Sequence, residues 1–312
     1  MINEKRLLDT FIGYAMIDSE TKNEKAMGEK LVEDLKALGL EVKTDKAGEF
    51  GSNGFNVCAY LPGTIPGEPT IMCAHMDTVT PGNGIKPLID DGIIHTDGST
   101  ILSGDDKSGI AAIMEAVKVI KEQNLPCRNT EILFTIGEEG GMNGVKNMDL
   151  SMIKGKEAMV FDASGDVGKI LTCGPGQIKI FATIIGRSSH AGLAPEEGIS
   201  AIQVAAKGIA KMNLLRIDEE TTCNIGTLKA EYATNIVPEK AEFVAEVRSR
   251  NLDKLNAQAA HMQKCLQDAC DEMGAKLEIE LKTNYVSFNV ANDDPMVQRV
   301  FESCKRIGCE PM

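Results

Sequence analysis

The chain has 312 residues, of which 43% are hydrophobic and 25% are charged, and its formal net charge is -13. This composition is typical of a globular protein long enough for two domains, and the acidic balance excludes nucleic acid as a partner because phosphate binding needs a basic surface. No apolar run is long enough to span a bilayer, and the N-terminus lacks the apolar core of a signal peptide. We therefore expect a cytoplasmic protein with no membrane partner.

The cysteines point to the same compartment. There are nine of them, an odd number, they are scattered along the chain, and no CxxC zinc motif is present. This usage indicates reduced thiols in a reducing environment rather than a disulfide framework.

The first 175 residues alternate between helical and strand patterns. Apolar residues recur at helical spacing in three predicted helices, at 3–16, at 23–38 and after the glycine turn at Gly104. Short apolar runs predict strands at 40–44, 55–61, 131–136 and 158–161, and one that begins at Ile71. A turn rich in Pro and Gly is expected at 62–69, and a hairpin around Asp91 and Gly92. The alternation predicts an α/β fold, with a mixed sheet that is parallel at its centre and flanked by helices.

The pattern changes near Gly174. From there the predicted order is β-α-β-β-α-β, with elements at 178–185, 200–212, 222–230, 241–248, 252–273 and 276–283. This is the order of a ferredoxin-like α+β domain, which is complete in itself and is therefore predicted to be an insertion. We expect a first part of the main domain at 1–175, an inserted domain at 176–284, and a return to the main domain at 285–312, with a helix at 295–306.

One stretch, IMCAHMDTV, is predicted to bring two polar side chains to the end of a buried strand. His75 and Asp77 are two positions apart, so in a strand they point to the same face. An imidazole beside a carboxylate suits a metal ligand and its orienting partner. The triplet alone is weak evidence, because a single histidine at a strand end is more often structural.

Further carboxylates stand where other predicted elements begin or end. Asp105 opens the third helix, while the glutamate doublet (Glu138 and Glu139) and Asp162 each follow a strand. Open α/β sheets place their sites beyond the carboxyl ends of the strands, so we expect these groups to meet His75. Taken singly they read as a helix N-cap, a solvated loop pair and a turn residue. Together these readings weaken, because like charges at one edge repel unless cations separate them.

The chemistry of this set favours a metal-dependent hydrolase. One histidine with several carboxylates suits Zn²⁺, Mn²⁺ or Co²⁺. Neighbours on extended backbone point in opposite directions, so we expect one member of the doublet to bind metal and the other to face the substrate. The free glutamate would take a proton from a metal-polarised water that attacks a carbonyl, and would pass it to the leaving nitrogen.

At these residues the chain resembles the di-zinc family of aminopeptidases, carboxypeptidases and aminoacylases, and in particular its peptidase T branch. The segments similar to the family's metal and catalytic motifs are, in the family's order, AHMDTV, LSGDDKSGIA, GEEGG and FDASGDVG. Those similar to its lid and dimerisation domain are RSSHAGLAPEEGISAI and TNIVPEKAEFVAEVRS. The resemblance spans nearly the whole chain, and it implies a zinc exopeptidase fold whose inserted lid forms a homodimer.

The resemblance also implies a site for two zinc ions. His75, Asp105 and Asp162 would bind one ion. Asp105 would bridge to the second ion, which Glu139 would also hold. Asp106 fits the bridge less well, because the family's ligand stands two places before the lysine of the motif.

Further roles follow from the same resemblance. Asp77 would orient the metal-binding histidine, and Glu138 would be the general base. His190 would reach a partner subunit's active site and polarise the scissile carbonyl, while Asn235 and Arg248 would contact substrate, the arginine through a carboxylate. On local sequence alone, His190 reads as a loop cap and Arg248 as half of a surface ion pair.

The resemblance stops short in one place. The family's last metal ligand is a histidine near the C-terminus after a Gly-rich segment, and the sequence reaches Met312 with neither. We therefore expect the second zinc to lack one protein ligand, and the chain to be a truncated, weakly active or inactive form of a longer active protein.

The leading hypothesis is a metal-dependent exopeptidase that removes the N-terminal residue of short peptides, with tripeptides as the substrate class. An N-acyl amino acid deacylase or a carboxypeptidase would use the same metal motifs. A non-catalytic binding or dimerisation protein that kept the fold is the third alternative, and the intact Asp77 and Glu138 speak against it.

Overall fold

A computed structural model describes residues 1–312, and none of its helices is both long and apolar enough to cross a membrane. The chain forms two compact units, Met1–Asp166 and Val167–Met312. The division into a main domain at 1–175 and 285–312 and an inserted domain at 176–284 stays a prediction.

The first unit combines helices with short strands, as the alternating pattern predicts. Its helices are α1 (Glu4–Ala15), α2 (Lys25–Ala37), α3 (Gly104–Glu122) and α4 (Asn143–Lys146). Its strands are β1 (Glu41–Thr44), β2 (Val57–Leu61), β3 (Ile65–His75), β4 (Leu88–Asp90), β5 (Ile93–His95), β6 (Arg128–Thr135) and β7 (Glu157–Val160). Short 3-10 helices cover Ala47–Phe50 and Leu150–Met152.

Five of these strands form one sheet in the order β1-β2-β6-β3-β7. Strand β3 runs parallel to both β6 and β7, whereas β1 and β2 are antiparallel to their neighbours. The predicted mixed sheet with a parallel centre is therefore confirmed. Because β3, β6 and β7 run in the same direction, their carboxyl ends share one edge of the sheet. The predicted hairpin is also present, as β4 and β5.

The turn predicted at 62–69 is wrong over its second half, because β3 begins at Ile65. Ile65 pairs with Arg128 and the next pairing joins Thr70 to Thr130, so the register shifts between them. Prolines lack an N–H for the ladder but are tolerated at such irregularities. The bulge absorbs Pro66 and Pro69, which the sequence pattern had assigned to a turn.

The helices of the first unit pack onto the sheet through fully buried side chains. Leu31 and Leu35 of α2, Ile110 and Met114 of α3, and Phe134 of β6 all belong to one core cluster and are 0% exposed. Burying each of these side chains contributes about 1.5–3 kcal/mol. This core fixes the strands whose carboxyl ends carry the candidate site.

The second unit is built around an antiparallel sheet. Its helices are α5 (Ala201–Ala210), α6 (Leu252–Met273) and α7 (Pro295–Arg306). Its strands are β8 (Cys173–Gly174), β9 (Gly176–Ile185), β10 (Leu215–Arg216), β11 (Thr221–Lys229), β12 (Lys240–Ser249), β13 (Lys276–Tyr285) and β14 (Phe288–Asn289). A 3-10 helix covers Pro195–Glu197.

The main sheet of this unit has the order β10-β11-β12-β9-β13, and every pairing in it is antiparallel. The predicted ferredoxin-like β-α-β-β-α-β order is confirmed as β9-α5-β11-β12-α6-β13. The pattern missed β10, a two-residue edge strand that is too short to give a periodic signal. Ile180, Phe243, Leu255 and Leu266 lie in the core between the sheet and its two helices.

Candidate metal centre

The predicted ligands of the first unit all lie at the shared carboxyl edge of its sheet. His75 is the last residue of β3, and Asp162 follows the end of β7. The glutamate doublet follows the end of β6. Asp105 stands at the start of α3, before the regular helix, with non-helical backbone angles. Ser103 precedes this kink and makes no side-chain cap hydrogen bond, so the reading of Asp105 as a helix N-cap stays a prediction.

His75 is the centre of the cluster. Its Nε2 lies 2.8 Å from Asp105 Oδ1 and 3.7 Å from Asp162 Oδ1. Ligand atoms of these three residues all lie within 4.8 Å of one another. An imidazole nitrogen and two carboxylate oxygens at this spacing form the donor set that zinc and similar divalent ions take from proteins.

The glutamate doublet reaches the same histidine. Ligand atoms of His75, Glu138 and Glu139 also lie within 4.8 Å of one another. The extended-backbone argument predicts that the two carboxylates point to opposite sides. In the structure both lie near the same histidine. The division of the doublet into a ligand, Glu139, and a base, Glu138, stays a prediction.

Asp77 connects the histidine to the doublet. Its main-chain oxygen lies 2.9 Å from His75 Nδ1, and its carboxylate Oδ1 lies 3.4 Å from the same nitrogen. The carboxylate also accepts the main-chain N–H groups of Glu138 at 2.9 Å and Glu139 at 3.1 Å, and the Thr21 hydroxyl at 2.8 Å. Burial raises the pKa of Asp77, but the hydrogen bonds from His75, Glu138 and Thr21 outweigh burial and lower it.

The protonation of His75 shows how strongly this edge attracts a cation. Burial lowers the pKa of His75, but hydrogen bonds to Asp162, Asp77 and Asp105 raise it to about 12. Both ring nitrogens face oxygen atoms, Nδ1 the main-chain oxygen of Asp77 and Nε2 the Asp105 carboxylate. A metal ion at Nε2 would balance the same carboxylates.

The carboxylates confirm the excess of negative charge. Burial raises the pKa of both Glu138 and Glu139, and nearby carboxylates raise it further, while His75 opposes the shift. Burial also raises the pKa of Asp106 to about 8. Asp106 faces the main chain rather than the imidazole, because its Oδ2 accepts the His75 main-chain N–H at 3.2 Å. The residues present therefore fit a divalent metal ion.

Three further residues support the site and were missed in the sequence. The Thr21 hydroxyl donates to Asp77, Glu24 accepts the N–H of Gly137, and Asn56 accepts the N–H of Ile136. These contacts join residues 56 to 113 positions apart. No local motif reports them, because side chains at such separations meet only through the tertiary fold.

The predicted substrate-binding residues lie in the second unit and are exposed. Ala191 N–H donates to the main-chain oxygen of Asn235 at 2.9 Å, which brings the segments of His190 and Asn235 together. The Nδ1 atom of His190 accepts the Gly192 N–H at 3.2 Å, so His190 does cap its own loop. Their roles toward substrate stay predictions.

Arg248 forms the local ion pair that its sequence context suggested. Its Nε lies 2.9 Å from Glu246 Oε1 on the same strand, β12, and its side chain remains 44% exposed. This hydrogen bond raises the pKa of Arg248 above its usual value, although burial acts to lower the pKa. The guanidinium is thus charged and accessible, as a carboxylate-binding group must be.

Comparison with known proteins identifies the family. Residues 175–274 match the model of a peptidase dimerisation domain, and residues 56–173 match the model of peptidase family M28. The chain is 39% identical to a tripeptidase from Staphylococcus aureus, with a TM-score of 0.95 over 99% of this chain and 83% of that one. It is 42% identical to the aminopeptidase PepT from Bacillus cereus, with a TM-score of 0.95 over 100% of this chain and 84% of that one. The chain belongs to the peptidase T-like metallopeptidases.

This peptidase T-like protein also has an uncharacterised relative in Bacillus subtilis (strain 168), named YqjE. The two are 42% identical over 309 residues, which cover 99% of this chain and 83% of the relative. Family membership confirms the resemblance found in the sequence and makes the chain an enzyme with peptidase activity. The alternative of a non-catalytic protein is therefore set aside.

Asp77→Asn tests the link between the histidine and the doublet. We expect metal affinity or turnover to fall about 10- to 100-fold, because the amide places an NH₂ group among N–H donors and orients His75 less firmly. Metal titration and steady-state kinetics measure the effect. Asp90→Asn is the matched control, since Asp90 pairs with His95 at 2.7 Å on the exposed hairpin. Equal losses in the two variants would contradict the assignment.

Proposed function

We propose that this metallopeptidase is an aminopeptidase that releases the N-terminal residue of short peptides, with tripeptides as its substrate class. The observation that carries the proposal is the close similarity of the whole chain to a tripeptidase and to an aminopeptidase, each with a TM-score of 0.95. The cluster around His75 supports it, because the residues that the chemistry needs meet at one edge of the sheet.

The proposed metal site takes its ligands from that edge. His75, Asp105 and Asp162 would hold one zinc ion, and Asp105 would bridge to a second ion held also by Glu139. Mn²⁺ or Co²⁺ would suit the same donors. Metal bound there would supply a Lewis acid that polarises the scissile carbonyl and lowers the pKa of a water molecule. The main-chain oxygen and the carboxylate of Asp77 lie 2.9 and 3.4 Å from His75 Nδ1 and would keep the ring oriented, which leaves Nε2 directed at the site.

Glu138 is the proposed general base. Its carboxylate is half-buried beside His75, and its main chain is fixed by the hydrogen bond to Asp77. A carboxylate in this position takes a proton from the attacking water and delivers it to the leaving nitrogen. Burial and negative neighbours raise the pKa of Glu138, which strengthens it as a base.

The second unit supplies the remaining parts of the proposal. The match to a peptidase dimerisation domain supports a homodimer formed through this unit. Within it, His190 would polarise the scissile carbonyl in a partner subunit's site, and Asn235 and Arg248 would contact the substrate. Nine free cysteines accord with a cytoplasmic location.

A pair of peptides tests the reaction type. The metal-loaded protein is incubated with a tripeptide of three distinguishable residues and with its N-acetylated form, and the products are identified by mass spectrometry. We expect release of the first residue from the free tripeptide and no cleavage of the acetylated one. Release of the third residue would indicate a carboxypeptidase, and release of acetate from the acetylated tripeptide would indicate a deacylase.

A further inference from the structure

The segment that carries the glutamate doublet is held by side chains from distant parts of the first unit. Four successive main-chain N–H groups, those of residues 136–139, donate to side-chain oxygens. The two N–H groups of the doublet donate to Asp77. Those of Ile136 and Gly137 donate to Asn56 Oδ1 and Glu24 Oε1, each at 3.1 Å.

Glu24 is an unusual anchor because it is a fully buried carboxylate. Its side chain is 0% exposed, and besides Gly137 it accepts the Lys22 main-chain N–H at 3.0 Å and the Ser52 hydroxyl. A buried carboxylate is tolerated only when donors satisfy it, and such charge-assisted bonds are about twice as strong as neutral ones. Its own main-chain oxygen accepts the Gly28 N–H at 3.0 Å, which ties it to the start of α2.

The hydrogen bond between Glu24 and the Gly137 N–H lies immediately before the doublet, where the backbone sets the direction of the two glutamate side chains. Gly137 has φ +62, in the left-handed region, and the N–H groups of Gly141 and Met142 close a tight turn onto the Glu138 oxygen. In such a turn, the orientation of the peptide before Gly137 sets the direction in which the next side chains leave the backbone. Glu24 holds that peptide through its N–H.

We propose that Glu24 is a positioning residue of the active site, which acts through the Gly137 N–H to hold the doublet against Asp77. Its kinetic consequence rests on the proposed function, whereas the ordering of residues 136–139 does not. Displacing a catalytic group by about 1 Å can cost on the order of 100-fold in rate. Loosening this anchor therefore lowers kcat, while KM changes little because Glu24 contacts no substrate.

The chain offers a matched control in Glu131, a second buried carboxylate of the same unit. It is 3% exposed and accepts the main-chain N–H groups of Lys154 at 2.9 Å and Gly155 at 2.8 Å. These bonds lie before the start of β7, at the opposite end of that strand from Asp162. Changes at Glu131 thus reproduce the loss of a buried acceptor without touching the doublet.

The test compares Glu24→Gln and Glu24→Ala with Glu131→Gln and Glu131→Ala in the full metal-loaded chain. Glutamine keeps a weaker acceptor, so we expect Glu24→Gln to lower kcat about three- to tenfold, and Glu24→Ala at least about tenfold, with KM within about twofold. Amide hydrogen exchange at residues 136–139 should quicken in the same order. Both Glu131 variants should leave kcat and this exchange unchanged.

The proposal is overturned if the Glu24 variants change exchange and kcat no more than the Glu131 variants do. If Glu24→Ala fails to fold, the two glutamine variants decide alone. If the unaltered protein hydrolyses no peptide, the proposed function has failed, and the exchange of residues 136–139 still decides whether Glu24 positions the doublet.

Discussion

Replacement of Glu138 by glutamine is expected to lower kcat for tripeptide hydrolysis about 10²- to 10⁴-fold while the metal content stays unchanged. Glutamine has the shape of glutamate but cannot take a proton from water. The main-chain N–H of residue 138 still donates to Asp77, so the turn remains in place. The loss should therefore appear in kcat, with KM nearly constant.

Glu139→Gln is the matched comparison, because ligand atoms of both glutamates lie within 4.8 Å of a ring nitrogen of His75. We expect this second variant to lose metal, since Glu139 is the proposed ligand of the doublet. Metal analysis and steady-state kinetics of both variants show which glutamate is the metal ligand and which is the general base, a distinction that the distances to His75 do not make. Full turnover in Glu138→Gln, or loss of metal from it but not from Glu139→Gln, would contradict the assignment.

Replacement of His75 by alanine is expected to weaken metal binding at least about 100-fold, more than the loss of an orienting residue usually costs. His75 belongs to both candidate ligand groups, so its removal damages both. The repulsion left between Asp105 and Asp162 would be relieved by a bound cation, so it offsets part of this loss. Isothermal titration with Zn²⁺ measures the affinity, and turnover should fall in parallel.

His95→Ala is the control for this experiment. His95 also pairs with a carboxylate, since its Nε2 lies 2.7 Å from Asp90 Oδ2, but its side chain is 41% exposed on the β4–β5 hairpin. This variant should bind zinc and turn over substrate as the unaltered protein does. Zinc affinity that is retained in His75→Ala would remove His75 from the ligand set.

The regular elements could be predicted because their local signals agree with one another. Helices α6 and α7 occupy the predicted ranges, 252–273 and 295–306. Helix α6 has three such signals: an amphipathic stripe, a side-chain cap at Asn251 before its start, and Gly274 in the left-handed conformation after its end. The prediction was wrong where signals conflicted. The first residues of β3 include prolines, which favour a turn, but the register shift lets the strand accommodate them.

The candidate site was predictable for a different reason. His75, the doublet and Asp162 follow strands, and parallel strands bring their carboxyl ends to one edge. Chain order and strand direction thus sufficed to predict that these side chains meet. Glu24 and Asn56 could not be found in this way, because they meet the doublet only through contacts between residues 113 and 80 positions apart. The separation of the doublet into a ligand, Glu139, and a base, Glu138, stays a prediction, since it depends on side-chain directions in an irregular turn.

The central claim is that His75, Asp105 and Asp162 hold a metal ion at the carboxyl edge of the first sheet. An anomalous difference map from crystals grown with zinc, recorded at the zinc absorption edge, tests it most directly. We predict a peak about 2.0–2.2 Å from His75 Nε2 and from one carboxylate oxygen of each aspartate. A zinc-loaded crystal with no peak among these three side chains would contradict the account.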